Sequence, residues 1–194
     1  MPNIPAFISY VMVTTFTPGP NNIMAMSNAT RYGFKKSIPF NTGVFTGFFI
    51  IFTLCGLFSV TLFNLIPSIQ SIMTYLGAAY ILWLAWKTYN SKPNSDEDNS
   101  RNTNKYIWGL LLQFVNPKGI IYAITTVSAF VVPYYKSAPI ITGFALLLSF
   151  TAFVSNCCWG LFGSIFQRFI VKNVRMVNTI MALLLVYSAV SLFL

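Results

Sequence analysis

Residues 37–86 carry no charged side chain, and neither do residues 1–30, 137–167 or 176–194. Apolar runs of about 18 residues or more are long enough to cross a bilayer. In hydrocarbon every backbone N–H and C=O has to be bonded within the protein, which leaves only helices or a closed barrel. Barrel strands read as segments of about ten residues with alternating polarity. The runs here are long and unbroken, so helices are predicted. Hydrophobic residues make up 56% of the chain and charged residues 8%, against roughly 25% charged in soluble domains. A water-soluble chain of 194 residues could not hide that surface in one core.

The pattern divides into six spans, at about 5–28, 38–63, 68–89, 107–133, 139–163 and 173–194. Pro67 marks the short turn between the second and third. Residues 90–105 form the one polar stretch and hold all three acidic residues, Asp96, Glu97 and Asp98. They read as a solvated linker between a first unit, 1–89, and a second, 106–194. No Lys or Arg precedes Arg31, so the first segment lacks the basic flank of a cleavable signal and reads as a span. The cysteines, Cys55, Cys157 and Cys158, have neither a disulfide nor a metal spacing. There is no histidine, and no metal or cofactor is expected.

Lysine and arginine counts set the orientation. Ten of the twelve fall on one side of the predicted membrane, Lys136 falls on the other, and Lys118 lies inside a span. The basic side is the cytoplasmic one, which leaves both termini outside. The net charge of +9 is therefore a topology signal rather than a patch for nucleic acid.

The two units repeat. Lys36-Ser37-Ile38-Pro39-Phe40-Asn41-Thr42-Gly43 aligns with Lys136-Ser137-Ala138-Pro139-Ile140-Ile141-Thr142-Gly143. Three spans per unit is an odd number, so the second unit enters the membrane inverted. The predicted fold is an all-α membrane protein of six transmembrane helices in two inverted three-helix repeats, an arrangement common in secondary transporters.

The first span contains Thr17-Pro18-Gly19-Pro20-Asn21-Asn22, and the fourth contains Asn116-Pro117-Lys118-Gly119. Proline removes a helical donor and clashes with the preceding turn. At roughly 1.5 Å per residue, Pro18 lies about 20 Å along its span and Lys118 about 16 Å along its own. The hydrocarbon core is about 30 Å thick, so both breaks fall near the midplane. Pro20 and Pro117 suit the first positions of restarted half-helices, with Asn116 as an N-cap. Two helix N-termini and the Lys118 ammonium suit a carboxylate. Carbonyls freed near Val13, Thr14, Thr15, Phe16 and Gln113 suit an ammonium. A zwitterionic amino acid carries both groups. The predicted substrate site is Thr17, Pro18, Gly19, Pro20, Asn21, Asn22, Asn116, Pro117 and Lys118. The bland readings are a simple kink for the prolines and a snorkelling side chain for Lys118. Gly43 and Gly47 read as helix packing. Trp83, Trp86 and Trp108 read as interfacial anchors. Asn41, Gln113 and Asn156 face either the pathway or another helix.

Thr17-Pro18-Gly19-Pro20-Asn21, the glycines at 33, 43 and 47, and Asn116-Pro117-Lys118 resemble the two signatures of the lysine/homoserine exporter (LysE/RhtB) family. The likeness extends over essentially the whole chain, including Leu112-Gln113-Phe114-Val115-Asn116 and Ala182-Leu183-Leu184-Leu185-Val186-Tyr187. The resemblance implies export of small neutral amino acids and derivatives, such as cysteine and O-acetylserine, across a bacterial inner membrane. Homoserine or threonine is the alternative cargo. The residues favour a neutral cargo independently, because no Asp or Glu lies in any span to pair a cationic side chain. An ion channel and a thiol–disulfide electron carrier are weaker alternatives, and no nucleotide-binding loop points to an ATP-driven pump. The expected partners are a small amino acid and the lipid bilayer. Oligomeric state is not legible, and a homodimer is compatible with the sequence.

Overall fold

The computed structural model describes residues 4–58, 75, 78–79, 81–90 and 104–190. The turn at Pro67, Gly77 and nearly all of the polar linker lie outside them. The described elements are helical: α1 (Ile4–Phe16), α2 (Pro20–Tyr32), α3 (Phe34–Leu57), α4 (81–89), α5 (Tyr106–Val115), α6 (Pro117–Thr126), α7 (Ala138–Ile165), α8 (Gln167–Lys172) and α9 (Val174–Val190). After α6 the helix continues as a wider π turn over Val127–Val131.

Among the described residues two single helices are long and apolar enough to cross a membrane, Phe34–Leu57 and Ala138–Ile165. Taken together as one broken span, the bent pair Tyr106–Val115 and Pro117–Val131, whose halves meet at 68°, is long and apolar enough to make a third. The first predicted span is likewise two helices. Pro18 and Pro20 end α1 and start α2, with Gly19 extended between them. Helix α3 starts at Phe34, earlier than its apolar run suggests, and carries Pro39 inside it. Gly33, at φ 85°, makes the joint between α2 and α3. Its N–H donates to Ala29 O at 2.9 Å, a left-handed backbone position that favours glycine.

Side-chain polarity is distributed inside out. Asn21, Asn22, Asn41, Gln113, Asn116, Ser155 and Asn156 are buried, while Leu146, Leu147, Phe150, Leu161 and Phe162 of α7 and Leu183 and Tyr187 of α9 are exposed. In water such a surface would be costly; against lipid tails it is the ordinary solvent-facing side.

Close backbone contacts fix the helix directions. A Cβ on Gly109 would meet the Phe40 carbonyl, and one on Gly47 would lie 2.7 Å from Gln113 Cγ. Phe48 reaches Gly119, so α3 runs parallel to the α5–α6 pair. Gly160 faces the Phe34 ring and Gly56 faces Ile141, so α3 and α7 are antiparallel. Gly163 packs on α2, where a Cβ would lie 2.5 Å from Met26 O, and Thr30 donates to Gly163 O at 3.0 Å. The Gly43–Gly47 step therefore packs helix on helix, as read from the sequence. Among the described residues, Gly143, the repeat partner of Gly43, has no neighbour within 4 Å of where a Cβ would lie. One apolar core joins α1, α3, α5, α6 and α7; a second joins α2 to residues 78–85 and α9.

Candidate functional site

The two breaks meet. Lys118 Nζ donates to Thr17 O at 3.0 Å and to Pro18 O at 3.1 Å, crossing from the start of α6 to the end of α1. Its aliphatic stem lies over Gly19, where a Cβ would come 3.0 Å from Lys118 Cδ. A larger residue at 19 would displace the lysine.

A second bridge is made of amides. Asn21 Nδ2 donates to Gln113 Oε1 at 2.8 Å. Asn21 Oδ1 accepts from Gln113 Nε2 and from Asn116 Nδ2, each at 3.1 Å. Asn116 Oδ1 caps α6 by accepting from Gly119 N at 3.4 Å, as expected from the sequence, and Pro117 follows as the first helical residue. One buried network thus joins the start of α2, the end of α5 and the start of α6.

The carbonyls released by the prolines find side-chain donors. Asn22 Nδ2 donates to Thr15 O at 2.9 Å and Thr17 O at 3.0 Å. From α7, Ser155 Oγ donates to Thr15 O at 3.0 Å and Trp159 Nε1 to Phe16 O at 3.3 Å. The Thr17 hydroxyl turns back to Val13 O. The expectation that carbonyls near Val13, Thr15 and Phe16 stand open for an ammonium is therefore corrected. Protein donors hold them, and Lys118 itself holds the next two.

A cavity open to solvent, with about 380 Å³ of empty space when the open solvent at its mouth is included, lies where these pieces converge. Of the predicted site residues, Gly19, Pro20, Asn21, Asn22, Asn116 and Lys118 line it. Thr17, Pro18 and Pro117 stand behind, shaping the breaks and supplying carbonyls. Thr14, Thr15, Phe48, Gly119, Tyr122, Ala152 and Asn156 complete the wall. Tyr122 packs edge-on against Phe52, with ring centres 5.4 Å apart, and its hydroxyl accepts from Thr15 Oγ1 at 3.3 Å. The backbone N–H groups of Asn21, Asn22 and Lys118 sit in first helical turns, where the helix offers no acceptor. Together with the lysine they give the cavity a positive side suited to an anion.

Residues 12–194 match the model of the LysE type translocator family. The chain belongs to that family. It is 43% identical over 189 residues to the cysteine/O-acetylserine efflux protein of Salmonella typhimurium, covering 97% of this chain and 96% of the relative. The proteins of the same name from Salmonella typhi and Escherichia coli are 42% and 39% identical over 188 residues, with the same coverage. No solved structure matches it. A translocator moves its cargo unchanged, so this LysE-type chain is a transporter and not an enzyme, and its apolar helices mark it as integral to a membrane.

The sequence singled out the breaks, the cap and the lysine of this translocator. It did not single out Phe48, Tyr122, Ala152, Ser155 or Trp159. An aromatic, alanine or serine in an apolar run carries no sign of which neighbour it will face. The available signal was spacing: Ala152, Ser155, Asn156 and Trp159 fall at helical intervals that share one face.

Proposed function

We propose that this chain is a secondary transporter that exports small neutral amino acids and derivatives, cysteine and O-acetylserine foremost, from the bacterial cytoplasm. The observation that carries the reading is Lys118, an intramembrane ammonium at a cavity where two interrupted helices meet. An ionisable group inside the membrane is a functional candidate by default. The names of the relatives supply the cargo class. The absence of Asp and Glu from the apolar runs supports a neutral side chain.

The geometry supports an exchange of partners. Lys118 Nζ donates to the Thr17 and Pro18 carbonyls. An arriving zwitterion brings an ammonium that competes for those carbonyls and a carboxylate that takes the lysine. The first-turn N–H groups of Asn21, Asn22 and Lys118 complete the anion's partners. The carboxylate then faces an opposite charge and the ammonium has carbonyl acceptors, the pairing and hydrogen bonding that low-dielectric surroundings require.

The architecture in this reading is six spans in two inverted repeats, inserted in the inner membrane with both termini periplasmic. The parallel run of α3 and α5 supports it: two parallel spans joined in sequence need a return crossing between them, which residues 58–105 would provide. The 36-to-136 repeat and the matched breaks agree. A homodimer is compatible with this arrangement.

The test is a two-by-two comparison of wild type and Lys118→Ala, each competed with cysteine and with cysteamine, which lacks the carboxylate. Removing one partner of a desolvated charge pair costs about 2–5 kcal/mol. The variant is expected to lose tenfold or more in affinity for cysteine and little for cysteamine. Lys118→Arg, with its wider planar head, recovers only part. Equal weakening of both ligands would mean that Lys118 does not read the carboxylate.

A further inference from the structure

Four buried side-chain atoms lack a hydrogen-bond partner among the described residues: Asn41 Oδ1, Thr53 Oγ1, Asn104 Oδ1 and Asn156 Nδ2. Of these residues Asn156 alone lines the cavity, and it is 1% exposed. A buried amide donor left unpaired is costly and is rare in native proteins unless something absent completes it.

The other amides of the wall are committed elsewhere. Asn21 is tied to Gln113 and Asn116, Asn116 caps α6, and Asn22 holds the end of α1. Asn22 Oδ1 accepts in turn from Ser155 Oγ at 3.4 Å. The Nδ2 of Asn156 is the unspent amide donor at the cavity. Its position is fixed on both sides in sequence: Ser155 is pinned to Thr15 O and Trp159 to Phe16 O. Ala152, one turn earlier on the same face, leaves room beside it. The groups suited to a carboxylate all belong to the two breaks, whereas Asn156 belongs to α7, an unbroken helix.

We infer that Asn156 is a specificity-determining residue, its side-chain N–H reserved for a hydrogen-bond acceptor on the side chain of the transported amino acid. This rests on the transport reading above. The fitting class is a neutral amino acid with an oxygen acceptor beyond its β-carbon. An ester carbonyl, as in O-acetylserine, fits best, because a thiol sulfur accepts only weakly. A cargo without an acceptor leaves the amide unpaired, and sites built to hydrogen-bond a substrate reject analogues that lack the partner.

The experiment measures competition by O-acetylserine and by norleucine, which has a chain of the same length without oxygen, against labelled cargo in proteoliposomes. Wild type is expected to favour O-acetylserine by roughly tenfold or more. Asn156→Leu should abolish that preference by weakening O-acetylserine while norleucine binds as well or better. Asn156→Ala removes the donor without adding bulk and should give the same collapse if the leucine variant fails to insert. A wild type that does not discriminate, a preference that survives both substitutions, or an equal loss for both ligands overturns the assignment. A wild type that moves no amino acid at all fails the transport reading instead, so the two failures are told apart.

Discussion

Asn21 spends its side chain on two residues 92 and 95 positions away. Such a link is what holds two interrupted helices at one point, since neither break can close its own backbone bonds. The exchange is reciprocal with Gln113, which is fully buried and also donates to Gly109 O at 2.9 Å. Gln113→Leu leaves Asn21 Nδ2 without its acceptor. An unsatisfied buried group costs about 1–3 kcal/mol, so a lower thermal midpoint is expected for the purified variant in detergent, read by fluorescence-detected size exclusion. Adding Asn21→Leu removes that orphan but takes the acceptor from Asn116 Nδ2, so the two losses are expected to be non-additive, a coupling that a double-variant cycle measures. A Gln113→Leu protein as stable as wild type would show that the network does not hold the breaks together. The lysine could be picked out from the sequence because a charge in an apolar run has few bland explanations. The partners of Gln113 could not, because an amide inside a span gives no direction.

At the scale of elements, glycine decides where helices touch. Gly43, Gly47 and Gly109 bring α3 and α5 into backbone contact, and Gly160 and Gly163 bring α7 against α3 and α2. Gly109→Ala puts a methyl against the Phe40 carbonyl, and overpacking of this kind typically costs about 1–3 kcal/mol. Gly143→Ala meets open space and should leave the thermal midpoint unchanged or slightly raised. Equal sensitivity at the two positions would contradict this packing. The comparison also marks a limit of the sequence. Gly43 and Gly143 occupy the same place in the 36-to-136 repeat, and nothing in the alignment separates them, because contact depends on which helix the fold brings alongside. Breaks are different. Pro18, Pro20 and Pro117 forbid a continuous helix wherever they sit, so α1/α2 and α5/α6 were legible to within a residue or two. So was the cap at Asn116, whose side chain serves its own helix three residues on. The carbonyls at the end of α1 were legible as freed but not as occupied, since Ser155 and Trp159 come from a helix 140 and 143 residues away.

For the whole molecule, the described residues form a membrane protein with a polar cavity between its interrupted helices and many apolar side chains turned outward. The charge-free runs fixed the first half of that statement, since they leave no other solvent for so much Phe, Leu and Ile. The location of the cavity followed from two proline breaks in apolar runs; the α7 wall beside it did not. In the proposed function this cavity binds a neutral amino acid and passes it across the bilayer by exchange rather than by open conduction. Counterflow tests it most directly. Proteoliposomes containing the full chain are loaded with unlabelled, reduced cysteine and diluted into a trace of labelled cysteine. Label is expected to accumulate transiently above its equilibrium level, with an equal or larger overshoot when O-acetylserine is inside and almost none when lysine is inside. Label that merely equilibrates, without overshoot, or lysine that drives accumulation as well as cysteine does, would contradict it.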